Sequence, residues 1–186
     1  MAGNAADISL ASNALILLGH DPIASFTEST AGAQVAENLF ENSYKSILTT
    51  HRWRFATKQA QLARLAAAPL SAYNHQFQMP SDLLYLIRPV GIRNYEVYED
   101  KIYANEQTME IEYIYDISAD RLPSYYAKMF EFYLASQFAI PITGDIEKAS
   151  FYTQQYEKAL VRAKFADSSQ RPNDAFIDSP YTDVRY

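Results

Sequence analysis

Three histidines, His20, His51 and His75, are the first residues to test for chemistry. None lies three or four positions from another, so no helical zinc pair exists, and cysteine is absent. His20-Asp21-Pro22 resembles an acid–base pair on paper. It follows Gly19, however, and a glycine followed by a proline marks the end of a helix and a turn. Glu110 and Glu112 are two apart in an alternating stretch, which places both carboxylates on one side of a strand. Such a pair could hold a metal or do acid–base work, but a wet strand face explains it with less. No serine sits in G-x-S-x-G, and the five glycines form no phosphate-cradling loop. No catalytic, cofactor-binding or metal-ligating residue is expected, and the chain reads as a non-enzyme.

The remaining candidates are charged. Arg52, Arg54, Lys58 and Arg64 interleave with Trp53 and Phe55, a pattern able to stack bases and bind phosphates. The simpler reading makes the aromatics core and the basic residues surface. No acidic residue lies between Glu41 and Asp82, whereas residues 94–120 carry eight carboxylates against Lys101 alone. The formal net charge of -6 argues against tight nucleic-acid binding. Segregated charge of this kind suits a head-to-tail contact between copies, which closes into a ring. Arg52, Arg54, Lys58, Glu110 and Glu112 are therefore the candidate subunit-interface residues. An acidic surface also lets DNA pass without sticking.

The elements that must carry these residues follow from periodicity. The 186 residues suffice for one domain with a real core. The 15 Tyr and 10 Phe fit either an aromatic core or an interface. A helix is expected over 5–18, with Ile8, Ala11, Leu15 and Leu18 on one stripe, ended by Gly19 and Pro22. A second is expected to about Thr50, capped by Ser29 or Thr30. The region 52–118 changes period: Trp53 and Phe55 alternate like a strand, 59–68 is ambiguous because Ala and Leu favour helix, and three to five antiparallel strands follow. Helices return over 123–167, interrupted at Pro141 and Gly144, with Thr143 or Asp145 capping the last. The expected fold is α+β, mainly an α-helical bundle of four long helices interrupted by a small antiparallel β-sheet insertion. A single domain spans 1–168. Residues 169–186 are polar and aperiodic and read as a flexible tail, whose Phe176, Ile177, Tyr181 and Tyr186 are placed to order on a partner. No run approaches the ~20 apolar residues of a membrane span, and MAGNAADISL lacks the basic start of a signal peptide.

The segments ASNALILLGHDPIASF (11–26), HRWRFATKQAQLARL (51–65), QMPSDLLYLIRPV (78–90) and FYLASQFAIPITGD (132–145), with the long helix after them, resemble the tail tubular protein A family, the head-to-tail adaptors of tailed bacteriophages. The resemblance spans roughly residues 5–168. It implies a helical bundle with a small β domain, assembled as a ring, commonly dodecameric, beneath the portal protein. Such a ring joins the portal to the tail tube or nozzle protein and forms part of the channel for genomic DNA. It implies no cofactor and no catalytic residue, a place in the neck of a virion, and assembly in a bacterial cytoplasm. The C-terminal tail would be the part that grips the portal. Two alternatives stand beside it: another head-completion or tail-terminator component, or a nucleic-acid-binding protein that uses the Trp53 segment.

Overall fold

A computed structural model describes residues 3–67, 69 and 72–170. Helix α1 spans Ala5–Leu17. Asn4 starts it with a reciprocal cap: the Asp7 N–H donates to the Asn4 side chain at 2.8 Å, and the Asn4 N–H donates to the Asp7 carboxylate at 3.0 Å. At its end the His20 N–H reaches the Leu15 carbonyl and the Gly19 N–H reaches Ile16, with Gly19 at φ 85°. That left-handed residue closes the helix in a Schellman motif. Helix α2 spans Ala31–Thr49, and Thr30 caps it by accepting from the Ala33 N–H at 3.2 Å. Gly32 lets the two helices approach closely, because a Cβ there would sit 3.2 Å from the Leu15 side chain.

The chain then departs from the expected strand at Trp53–Phe55. Arg54–Ala56 is a single 3-10 turn. The Trp53 carbonyl accepts from the Ala56 N–H and the Thr57 hydroxyl, so this carbonyl is satisfied locally and joins no ladder. Strand β1, Thr57–Leu62, occupies part of the ambiguous stretch, where pairing with a neighbour overrides the helical preference of its residues.

Six antiparallel strands form two three-stranded sheets, where one small sheet was expected. In the first, β6 (Met109–Tyr115) lies between β1 and β3 (Leu83–Pro89). In the second, β5 (Lys101–Ala104) lies between β2 (His75–Gln78) and β4 (Tyr95–Tyr98). The reason for two sheets is written in β6. Its odd positions, Met109, Ile111 and Tyr113, join Leu62, Phe77, Ile102 and Ala104 in a core of their own. Its even position Ile114 joins the helical core instead. A strand covered on both faces requires a layer on each side.

Helix α3 spans Ser124–Thr143 and packs against α1, α2 and α4. Pro141 does not end it, contrary to expectation. It lies in the last turn, where it costs the one helical bond to the Gln137 carbonyl, and the helix continues to Gly144, which terminates it at φ 64°. Ile140, expected on the buried stripe, is 56% exposed. The main core is aromatic: Trp53 meets Tyr126 edge-on at 5.0 Å, and Phe130 meets Tyr44 at 5.4 Å and Phe40 at 5.7 Å. Helix α4, Ile146–Ser168, is capped by Asp145, which accepts from the Glu147 and Lys148 N–H groups. It runs one residue beyond the expected end at 167. The architecture is mixed α+β. No helix among the described residues is long and apolar enough to cross a membrane.

Candidate interaction surface

The candidate residues converge where the end of α2, the 3-10 turn and the first sheet meet the end of α4. Glu112 carries the arrangement. It was expected on a wet strand face, yet its side chain is only 8% exposed. Being an even position of β6, it faces the helical side, and two arginines cover it. The Arg52 guanidinium donates to Oε1, and Arg88 Nε donates to Oε2 at 3.1 Å. A carboxylate out of water needs such partners, since an unpaired buried charge is costly. Glu110 shares the face but is exposed, with no ion pair among the described residues.

Lys58 projects from β1 and donates to Asp82 at 2.8 Å, with its ammonium 4.0 Å from the centre of the Tyr115 ring. This bond holds the Asp82 carboxyl below its ordinary range and the Lys58 ammonium above its own. Lys45, at the other end of the basic segment, pairs with Glu41 at 2.5 Å and reaches Asp116 at 3.9 Å. Three of the acidic residues of the 82–120 region thus neutralise basic residues of the 45–58 region inside one chain. Arg54 is the exception: its side chain is exposed and makes no ion pair among the described residues.

Its backbone is held tightly. The Arg54 N–H donates to both carboxylate oxygens of Asp167 at 3.1 Å, and the Tyr125 hydroxyl donates to the same carboxylate at 3.0 Å. Asp167 is 2% exposed. Burial, then this bond, pushes the Tyr125 phenol up to about 12. The result is an open cleft of about 780 Å³ bordered by Arg52, Arg54, Lys58 and Arg88, with Glu112 and Asp167 beneath. The arrangement offers guanidinium N–H groups, two of them held by Glu112, that could receive an anion.

Trp53 has no exposed surface and Phe55 is half-buried in the aromatic core, so the Trp53 side chain offers no platform for a base. His51 also packs into that core, edge-on to Trp53 at 4.8 Å, and burial lowers its pKa. His20 lies in the turn after α1 and His75 on β2. Among the described residues no group of three or more His, Asp or Glu gathers as a metal site. Phe176, Ile177, Tyr181 and Tyr186 lie outside the described residues.

Two residues of this surface escaped sequence reading. Arg88 sits on β3 opposite Glu112 in the ladder, a pairing that only register reveals. Asp167 had a visible signal, because it follows Ala163 by four positions on the buried stripe of α4.

A second surface lies along α4. Phe151, Gln154, Lys158, Val161 and Phe165 recur at alternating spacings of three and four on the side away from the core. Phe151, Val161 and Phe165 are 53%, 69% and 76% exposed, and Ile146 adds 74%. The opposite stripe, Ala149, Tyr152, Tyr156, Ala159 and Ala163, packs inward as expected.

No family model matches the chain, and no curated protein matches it.

Proposed function

We propose that this protein is a structural component of a virion: a ring-forming head-to-tail adaptor that joins the portal to the tail tube or nozzle and lines part of the DNA channel. The observation that supports this most is the apolar outer stripe of α4. A helix of 23 residues runs about 35 Å, and its outer face exposes Phe151, Val161 and Phe165 with Gln154 and Lys158 between them, large apolar side chains that a neighbour could cover. Its 3–4 spacing is that of helices packed side by side, so the occupant in this reading is the helical face of a neighbouring copy. The four helices then act as one bundle and the strands of 52–118 as its insertion. The resemblance in segments 11–26, 51–65, 78–90 and 132–145 supports the same role.

The test is negative-stain electron microscopy of the full chain mixed with portal rings from the same phage. The expected image is a portal carrying a second stacked ring, whose symmetry gives the copy number. Bare portals beside unbound protein across a range of salt concentrations would overturn the adaptor role. A ring found only on tail components would move the protein to another joint of the particle. Removal of residues 169–186 is expected to leave a folded protein that no longer joins the portal.

A further inference from the structure

Part of the charge segregation is consumed inside the chain, by Asp82, Glu112 and Asp116. On the basic side, Arg54 has no ionic partner among the described residues. Arg52 and Arg88 each spend one N–H group on Glu112 and keep the rest free, with side chains 49% and 64% exposed. Glu112 holds both guanidiniums in place, so little side-chain freedom remains to be lost when an anion binds.

On the acidic side, Glu99, Glu106, Glu110 and Asp120 are exposed and make no side-chain bond among the described residues, and of these Glu99 stands at a hairpin tip. It stands with Asp100 in the two-residue turn between β4 and β5, where Tyr98 pairs with Lys101. Glu99 has φ 54°, the one positive φ of a non-glycine among the described residues. A hairpin turn of this kind prefers glycine at that position, so a glutamate there is strained. Its carboxylate makes no bond to any described residue, whereas Asp100 accepts from Gln78 and Glu96 from Tyr98. Val97 and Tyr98 beside it are 43% and 53% exposed. The tip therefore presents a free carboxylate next to an aromatic ring, and aromatic residues are enriched at protein contacts.

We propose that the cleft of Arg52, Arg54 and Arg88 is the socket for the β4–β5 hairpin tip of a second copy of this chain, with the Glu99 carboxylate received by Arg54. This rests on the ring reading and names the contact within it. Within one chain no described bond joins tip to cleft. Tip and socket are different surfaces, so the contact is head-to-tail, and each copy keeps one free tip and one free socket until the ring closes. Opposite charges on the two surfaces also fix the direction in which copies add.

The chain has no cysteine, so introduced cysteines report cleanly. Arg54→Cys protein is mixed with Glu99→Cys protein and a short bismaleimide crosslinker, both free at high concentration and on portal rings. The crosslinker spans the gap left by the two side chains of an Arg–Glu ion pair, which holds the Cα atoms farther apart than the ~7 Å a disulfide tolerates. The expected result is a covalent dimer from this mixture, and a ladder of higher species from the R54C/E99C double variant. Ser29→Cys, on an exposed turn away from the cleft, serves as the control partner. If E99C links to R54C no more than to S29C, the socket assignment fails. Charge reversal gives an independent reading: R54E and E99R each abolish association, and a mixture of the two restores it. Glu99→Gly is expected to keep the fold, with a melting temperature at least that of the parent, while losing association.

The outcomes separate the two proposals. Stacked rings on portals without the R54C–E99C crosslink leave the adaptor and overturn the socket. The crosslink without portal attachment keeps the socket and overturns the adaptor. Salt-dependent binding of a DNA oligonucleotide that is lost in R54A, with no crosslink, makes the cleft a phosphate site and overturns the contact.

Discussion

Helices α3 and α4 are neighbours of similar length, 20 and 23 residues, yet they do opposite work. Nine residues of α3 are buried, including Tyr126, Met129, Phe130, Leu134 and Phe138; in α4 only Ala163 and Asp167 are. α3 is apolar nearly all round because α1, α2 and α4 surround it. α4 has one inward stripe of alanines and tyrosines and one outward stripe with no packing partner among the described residues. In the ring reading, stability rests chiefly on α3 and assembly on the outer face of α4, so substitutions can separate them.

The largest effect is expected in α3. Phe130 is fully buried and meets Phe40, Tyr44, Tyr126 and Tyr133 ring to ring. Phe130→Ala removes a large side chain from a site that four aromatic neighbours cannot refill. A loss of about 3–5 kcal/mol is expected in urea unfolding. A loss below about 1 kcal/mol would mean that the α3 core is loosely packed.

The next effect lies where α4 becomes structural, at its last buried turn. Asp167→Ala leaves the Arg54 N–H and the Tyr125 hydroxyl without their acceptor, at a cost of about 1–3 kcal/mol. Asp167→Asn keeps one acceptor oxygen and is expected to cost less. Hydrogen exchange of the Arg54 amide reads this contact directly, and its protection is expected to fall in the alanine variant.

The fold was largely legible in the sequence, and the exceptions share a cause. The ends of α1 and α2 were readable because Gly19 and Thr30 act locally. β4 and β5 were readable because Tyr95, Val97 and Ile102 flank an obvious turn. The 3-10 turn at Arg54 was not, because Asp167, 113 positions away, receives its N–H. β1 was not, because Ala60 and Leu62 carry helical propensity and only the register against β6 makes them strand. Glu112 was read as wet because alternation assigns a face without saying what covers it. The cover comes from Arg52 and Arg88, on two other elements.

Alkaline pH sharpens the Asp167 contact. The Tyr125 phenol is raised to about 12, first by burial and then by its bond to Asp167. In the unfolded chain it titrates near 10. A folded pKa above the unfolded one means that the native state holds its proton longer. The contribution is thus complete below about pH 10 and is lost as pH rises toward 12. Burial raises the Tyr44 phenol as well, so its contribution falls in the same direction. Tyr125→Phe is expected to flatten part of the decline in melting temperature between pH 10 and 12. An unchanged profile would show that Tyr125 titrates as it does in the unfolded chain.

The smallest effect on stability is expected where the effect on assembly is greatest. Val161 and Phe165 are more than two-thirds exposed and lie one turn apart on the outer stripe of α4. Replacing both by serine removes no core contact, so the unfolding free energy is expected to change by no more than about 0.5 kcal/mol. In the ring reading the same double substitution removes the middle and end of the strip that a neighbouring copy covers. Portal rings mixed with V161S/F165S protein are then expected to remain bare under conditions in which the parent stacks. Normal stacking by this variant would break the division of labour between the two helices. It would leave α4 an ordinary surface helix and transfer the whole of the subunit contact to the arginine cleft and the Glu99 tip.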